Sequence, residues 1–162
     1  DGTLDYGGLN LNQGFQASDA YSISLPTSLT FGDDDDFTAN DTTAISYCFN
    51  SVSGYSKVGV YGGNGDASGS YVFCGFRPAF LLIKNTSATE DWYIYDSKIQ
   101  DDNVMAQYLR PNQNYAEATF TTVDFLSNGF KLRSNNAAYN SSSGVYLFLA
   151  FAEAPFKNSR AR

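Results

Sequence analysis

A handful of residues in this chain carry groups that could do chemistry. Asp33, Asp34, Asp35 and Asp36 run together and offer hard oxygen ligands of the kind calcium takes. Contiguous side chains point in different directions and the spacing is not that of an EF-hand loop, so a solvated acidic loop accounts for them better. Asn64-Gly65-Asp66 offers a weaker version of the same signal. Glu90, Asp96, Asp101 and Asp102 could supply paired carboxylates for glycoside hydrolysis, although nothing in the sequence sets two of them across a cleft. Asp91-Trp92-Tyr93-Ile94-Tyr95 could stack a sugar ring. In a strand, Trp92 and Ile94 face one way and Tyr93 and Tyr95 the other, so one pair belongs to a core. Asn40, Asn85 and Asn140 each open an Asn-x-Ser/Thr triplet, which would be a glycan acceptor in a source that glycosylates its surface proteins. Cys48 and Cys74 both sit in apolar, strand-like runs, where a disulfide or two buried free thiols would fit equally.

What is missing narrows the chemistry further. The chain has no His, which removes Ser–His–Asp and Cys–His nucleophiles and His-ligated zinc, and two Cys cannot build a Cys-rich metal site. The Gly-rich run from Gly62 to Gly69 lacks the Lys and the following helix of a phosphate-binding loop. These residues lead us to expect a protein that is not an enzyme and needs no cofactor, with calcium as the one candidate ion.

The elements that must position these residues read as strands. Of the 162 residues, 43% are hydrophobic, enough for a core, and 17% are charged, against about 25% in an average soluble protein. Twelve Tyr and thirteen Phe against three Glu and one Met favour pleated, half-buried surfaces over helices. Short runs are expected as strands at 20–25, 29–31, 43–50, 55–61, 71–76, 79–83, 91–95, 118–126, 130–132 and 145–152. The stretch 104–109 reads as a helical turn or an irregular strand. Ala79-Phe80-Leu81-Leu82-Ile83 is apolar at every position, as in a strand buried on both faces. Ser127-Asn128-Gly129 reads as a hairpin turn, with Asn-Gly at the positions that need φ > 0. Segments 29–49 and 130–151 resemble each other weakly, as two copies of a repeat would.

This pattern predicts an all-β fold: an antiparallel, jelly-roll-like β-sandwich over residues 17–156, with an extended N-terminal arm at 1–16 and a basic tail at 157–162. Ile45, Tyr47, Phe49, Phe80, Leu82, Val145, Leu147 and Leu149 are expected in the core.

Charge is unevenly placed. The net value is −7, which disfavours nucleic acid as a partner, and no apolar run is long enough to insert in a membrane as a helix. Residues 1–56 carry eight Asp and no Lys or Arg, whereas the last six residues carry Lys157, Arg160 and Arg162. Opposite ends of successive copies would attract. The arm alternates Leu4, Tyr6, Leu9 and Leu11 and could add a strand to a neighbouring copy. No charged and apolar leader precedes Asp1, so a processed product or the ordered part of something longer is expected.

Six blocks then carry a resemblance: Ile45-Ser46-Tyr47-Cys48-Phe49, Gly54-Tyr55-Ser56-Lys57-Val58-Gly59, Gly75-Phe76-Arg77-Pro78-Ala79-Phe80, Ile94-Tyr95-Asp96-Ser97-Lys98, 124–133 and 149–156. In this order the chain resembles a β-rich domain-of-unknown-function family found near the C-termini of tail-fibre or virion structural proteins of marine and freshwater bacteriophages, and in related metagenomic sequences. The resemblance covers residues 45–156, and residues 1–44 depart from it. It implies a non-enzymatic structural subunit of an extracellular or virion fibre, self-assembling through strand and arm contacts into a helical filament or a trimer. The alternative it implies is a tail-fibre receptor-binding module that reads a host-surface glycan.

Overall fold

The computed structural model describes residues 4–6, 9–18 and 49–154. The chain forms two compact units. The first comprises residues 1–7 and 15–48, and its described part is a short antiparallel ladder of β1 (Leu4–Tyr6) and β2 (Gln16–Ser18), with Leu4 opposite Ser18 and Tyr6 opposite Gln16. The second comprises residues 8–14 and 49–162. This division does not follow the expected boundary after residue 16, because residues 8–14 group with the second unit.

The second unit is a β-sandwich of two four-stranded antiparallel sheets, as the alternating apolar runs predict. Its strands are β3 (Ser56–Gly62), β4 (Tyr71–Phe73), β5 (Pro78–Asn85), β6 (Trp92–Asp96), β7 (Met105–Tyr108), β8 (Ala118–Leu126), β9 (Gly129–Leu132) and β10 (Val145–Ala152), with a one-turn helix, α1 (Ala137–Asn140), before the last strand. One sheet runs β3-β10-β5-β6 and the other β4-β9-β8-β7. The unit's first strand pairs with its last and its second with its second-last, but β5 pairs with β6 and β7 with β8, so the nesting of a jelly roll stops at the two outer pairs. Along one side the sheets are joined, because Ile94 and Leu109 exchange backbone hydrogen bonds of 2.9 and 3.0 Å.

Residues 105–108 are a strand after all, made irregular by a bulge against β8. There the Gln100 side-chain carbonyl accepts from the Ala106 and Gln107 N–H groups at 2.8 and 2.9 Å. The β8–β9 hairpin forms where expected, but not for the expected reason. Gly129 is already in the ladder opposite Leu126, so Ser127 and Asn128 make the turn. Glycine is required at 129 because a Cβ there would collide with the Val72 carbonyl of β4.

The core is built on tyrosine. Tyr61, Tyr93, Tyr95, Tyr139 and Tyr146 are buried with Leu81, Ile83, Met105, Val123, Phe125, Phe130, Leu132, Phe148 and Ala150. Tyr61 and Tyr146 stack with ring centroids 5.0 Å apart, and Tyr93 meets Tyr139 edge-on at 4.6 Å. Buried phenols need partners. Tyr61 Oη donates to the Tyr139 carbonyl at 2.9 Å, and Tyr146 Oη donates to the Ala137 carbonyl at 2.7 Å while accepting from Ser141 N–H. Burial pushes the Tyr93 phenol up to about 12, with the carboxylates of Asp91 and Glu90 adding to it.

The expected core residues fall on the wrong side of this sheet. Register places Leu147, Val60 and Lys84 in one cross-strand row and Leu149, Val58, Leu82 and Ile94 in the next, all facing away from the tyrosine core. Phe80, Leu82 and Leu147 are half-buried there, Val145 is exposed, and Leu149 alone of the expected residues that are described is buried; Phe49 is exposed. Both faces are apolar, so alternation carries no phase. Ile45, Tyr47 and all of the first copy of the expected repeat except Phe49 lie outside the described residues.

Candidate assembly face

The outer face of the β3-β10-β5-β6 sheet changes character along the strands. At one end, Phe151 gathers three rings, with centroid distances of 5.8 Å to Tyr55, 5.9 Å to Phe80 and 6.3 Å to Phe49. The middle is aliphatic: Val58, Leu82, Ile94 and Leu149. Toward the β3 edge Val60 remains 65% exposed, beside Leu147.

At the other end the face is capped by a strap, residues 9–14. Here Lys84, with 0% of its surface exposed, extends from β5 and donates to the carbonyls of Asn12 at 3.0 Å and Glu90 at 2.6 Å. Its ammonium also lies 6.0 Å from the Trp92 ring. Burial lowers the Lys84 pKa, and the carboxylates of Glu90 and Asp91 partly restore it. The Glu90 N–H donates to the same Asn12 carbonyl at 2.8 Å.

A second polar cluster lies beyond β6. Asp91 accepts from Asn112 Nδ2 at 2.8 Å and Gln113 Nε2 at 2.9 Å, and pairs with Arg110 at 3.4 Å. Burial raises its pKa, but these hydrogen bonds and the guanidinium outweigh that and hold the carboxyl below its usual range. Arg110 in turn lies 4.6 Å over the ring of Tyr115, which is 59% exposed.

A family described as "Domain of unknown function (DUF7483)" matches residues 4–155. The chain belongs to this family. The match extends through residues 4–44, which the sequence alone sets apart, so the family pattern covers both units. No curated protein and no solved structure matches this DUF7483 chain.

The residues singled out from sequence meet different fates. Leu9 and Leu11 lie on the strap and are 60% and 46% exposed; Leu4 and Tyr6 are in β1, paired with β2 of their own chain. Asn85 and Asn140 are buried and fully engaged, so neither can carry a glycan in this fold. Asn85 Nδ2 donates to the Ala137 carbonyl, and its Oδ1 accepts from Ser87 and Ala88 N–H. Asn140 Nδ2 reaches Asn64 Oδ1 at 2.7 Å and the carbonyls of Asp66 and Ser134, while its Oδ1 accepts from Asn64 N–H. It thereby ties the Gly-rich loop to α1, and Asn64 and Asp66 hold that loop's turns through their own side chains. Trp92, Tyr93 and Tyr95 are all buried, so the aromatic run offers no sugar-stacking face. Cys74 is a buried free thiol that burial pushes up to about 11, the Lys57 charge opposing. Asp96 holds the turn after β6 by accepting from Lys98 N–H, while Asp101 and Asp102 are exposed. Among the described residues no three His, Cys, Asp or Glu side chains gather as a metal site, and no helix is long and apolar enough to cross a membrane. Asp33 to Asp36, Asn40, Cys48, Lys157, Arg160 and Arg162 lie outside the described residues.

Lys84 and Asn140 are the two organising side chains that sequence reading missed as such. Lys84 had one signal, a lone charge closing an apolar run of five. Asn140 had none beyond a chance sequon.

Proposed function

We propose that the chain is a non-enzymatic structural subunit of an extracellular or virion fibre, assembling with copies of itself through its apolar sheet face and N-terminal strand contacts. The observation that supports this most is the second apolar face of the β3-β10-β5-β6 sheet, with Val60 and Val145 exposed on it. A sheet needs one apolar face to fold; a second one favours lateral burial against another protein. Uneven charge, acidic in residues 1–56 and basic in 157–162, gives copies a preferred order of approach. The bacteriophage setting is part of the proposal and rests on the resemblance of the sequence blocks alone. Light scattering and negative-stain microscopy of the pure chain test the proposal. Regular assemblies are expected, and Val60→Asp is expected to abolish them without loss of the folded signal. A wild-type chain that stays monomeric at every concentration would overturn it.

The second reading is a receptor-binding module for a host-surface glycan. It is favoured by one observation: the exposed Tyr115 ring, stacked on Arg110 beside the amides of Asn112 and Gln113. Aromatic rings with adjacent planar polar groups suit sugar rings. Glycan-array binding that disappears in Tyr115→Ala would support it, and an array without any Tyr115-dependent signal would remove it.

A further inference from the structure

The hydrogen-bond phase of β9 decides which backbone groups of β4 are used. Arg133 N–H donates to the Thr122 carbonyl at 2.7 Å, so odd-numbered residues of β9 turn their backbone groups to β8 and even-numbered ones to β4. Leu132 N–H donates to the Ser70 carbonyl at 3.0 Å and Cys74 N–H to the Asn128 carbonyl at 2.9 Å, which sets Ser70, Val72 and Cys74 facing β9. Tyr71 and Phe73 alternate with them and point their N–H and C=O groups away from the sheet. β4 is an end strand, and among the described residues none of these groups has a hydrogen-bond partner. The two side chains are 47% and 62% exposed.

The edges of the other sheet are closed by contrast. On β3, Gly63 N–H donates to the Gly144 carbonyl, and Ala152 N–H of β10 donates to the Tyr55 carbonyl, so Ser56, Val58, Val60 and Gly62 face outward. Ser56 exchanges backbone hydrogen bonds with Val52. Ser51 Oγ accepts from Val58 N–H and donates to the Val58 carbonyl, and Ser70 Oγ donates to the Gly62 carbonyl. On β6, Ile94 is bonded to Leu109, and Trp92 N–H donates to Asn112 Oδ1. β4 keeps two successive outward positions open, and an edge of that kind is completed by the main chain of an extended segment.

Charge selects the segment. Lys57 shares the core-facing side of β3 with Tyr61, and its charge is felt at Cys74, the residue after β4. Lys131 lies opposite Tyr71, and its Nζ donates to Ser68 Oγ at 3.2 Å. Among the described residues neither ammonium pairs with a carboxylate; Asp124, opposite Lys131 on its other side, pairs with Arg133 instead.

We propose that the open edge of β4 is a strand-addition site for an extended acidic segment of a different protein. Residues of the segment opposite Tyr71 and Phe73 bond them through the main chain and lay apolar side chains beside the two rings. Carboxylates at the alternate positions face Lys57, and Lys131 adds to the same field. The site goes beyond the self-assembly reading, which uses the other sheet and another partner.

Fluorescence anisotropy tests it with the full chain and a labelled peptide, Val-Asp-Val-Asp-Val-Thr, blocked at both ends. Saturable binding is expected. The Val-Lys-Val-Lys-Val-Thr counterpart, and the acidic peptide N-methylated at its valines, are each expected to bind about tenfold more weakly. Phe73→Pro removes an outward N–H at a place where an edge strand accepts proline, and it leaves Val72 and Cys74 bonded to β9. It is expected to weaken the acidic peptide by a similar factor while thermal circular dichroism keeps its transition. Lys57→Gln is expected to narrow the difference between the acidic and lysine peptides. Absence of saturable binding, equal binding of those two peptides, or binding unchanged by valine methylation would overturn the proposal; should Phe73→Pro lose its fold, the methylated peptide decides alone. A folded Phe73→Pro that lowers the light-scattering mass of the pure protein would assign the edge to a second copy and overturn it equally. A pure chain that never assembles removes the self-assembly reading and leaves this one standing.

Discussion

The two faces of the β3-β10-β5-β6 sheet share a backbone and differ in chemistry. Along β10, Tyr146, Phe148 and Ala150 enter the sandwich, while Leu147, Leu149 and Phe151 face outward. The inner face is amphipathic: phenols stack, donate to backbone carbonyls and close over a buried Asn140. The outer face is aliphatic in its middle, with Lys84 at its capped end and Ser56 and Asp96 in the Phe151 row at the other. The hydrogen bonds of Tyr61, Tyr146 and Asn140 favour one arrangement of the inner layer, because moving these side chains leaves buried groups unpaired. Aliphatic packing has no such demand and accepts any complementary surface. One face specifies the fold; the other makes no comparable demand on what lies beside it.

The largest effect should come from exchanging adjacent residues on β10. Phe148→Asp places an unpaired charge in the core and is expected to abolish folding, since the penalty of several kcal/mol is comparable with total stability. Leu147→Asp, on the outer face, is expected to retain a cooperative melt and to lose assembly. Equal behaviour of the two in thermal circular dichroism would erase the distinction between the faces.

Asn140→Ala probes the polar order behind the inner face. It strands Asn64 N–H and the carbonyls of Asp66 and Ser134. A loss of about 1–3 kcal/mol is expected, lowering the midpoint by about 2–4 °C for each kcal/mol at this chain size. Differential scanning calorimetry reads it directly.

Asp91 gives a smaller, pH-dependent effect near the capped end. Its folded pKa lies below the unfolded value, so its contribution is present above the ordinary carboxyl range and is lost as pH falls through the depressed folded value. Asp91→Asn should therefore lower the urea midpoint at pH 7 and leave it nearly unchanged at the acid end. A variant whose deficit persists at low pH would assign the effect to lost packing instead.

The smallest effect belongs to Arg77 and Glu153, which pair at 2.9 Å on the surface. Glu153→Gln should change stability by less than about 1 kcal/mol, and less still in high salt. A larger salt-dependent loss in chemical denaturation would show that this pair is coupled to a buried group.

Strand positions were legible wherever apolar residues ran between turn formers. β8 and β10 occur at the expected residues, and β5 and β6 within one or two of them. Which side of a strand faces the core was not legible for 79–83 or 145–152, because Phe80-Leu81-Leu82-Ile83 satisfies either phase. The bulge at 105–108 was blurred for a related reason: Gln100, distant in pattern, supplies the hydrogen bonds that the partner strand does not. Helix α1 is a single turn capped by Asn136, too short to show a period. The strap was read as strand-forming from Leu9 and Leu11, but the atoms that hold it are the Asn12 carbonyl and the bare backbone at Gly14, where a Cβ would lie 3.1 Å from the Thr86 carbonyl oxygen. Main-chain recognition leaves almost no imprint on side-chain pattern.

The position of β10 has a consequence for the order in which the protein can form. It is the last of the described strands in sequence, yet it lies between β3 and β5, with Phe151 opposite both Ser56 and Phe80. During synthesis the chain emerges from its N-terminus, so β3 and β5 are released with a gap where their shared neighbour belongs. Until β10 arrives, each presents open hydrogen-bonding groups along that gap and apolar side chains above and below it. Such pairings, remote in sequence, close slowly. The interval before closure is when nascent chains are most liable to pair wrongly with one another, and its length depends on the arrival of residues 145–152.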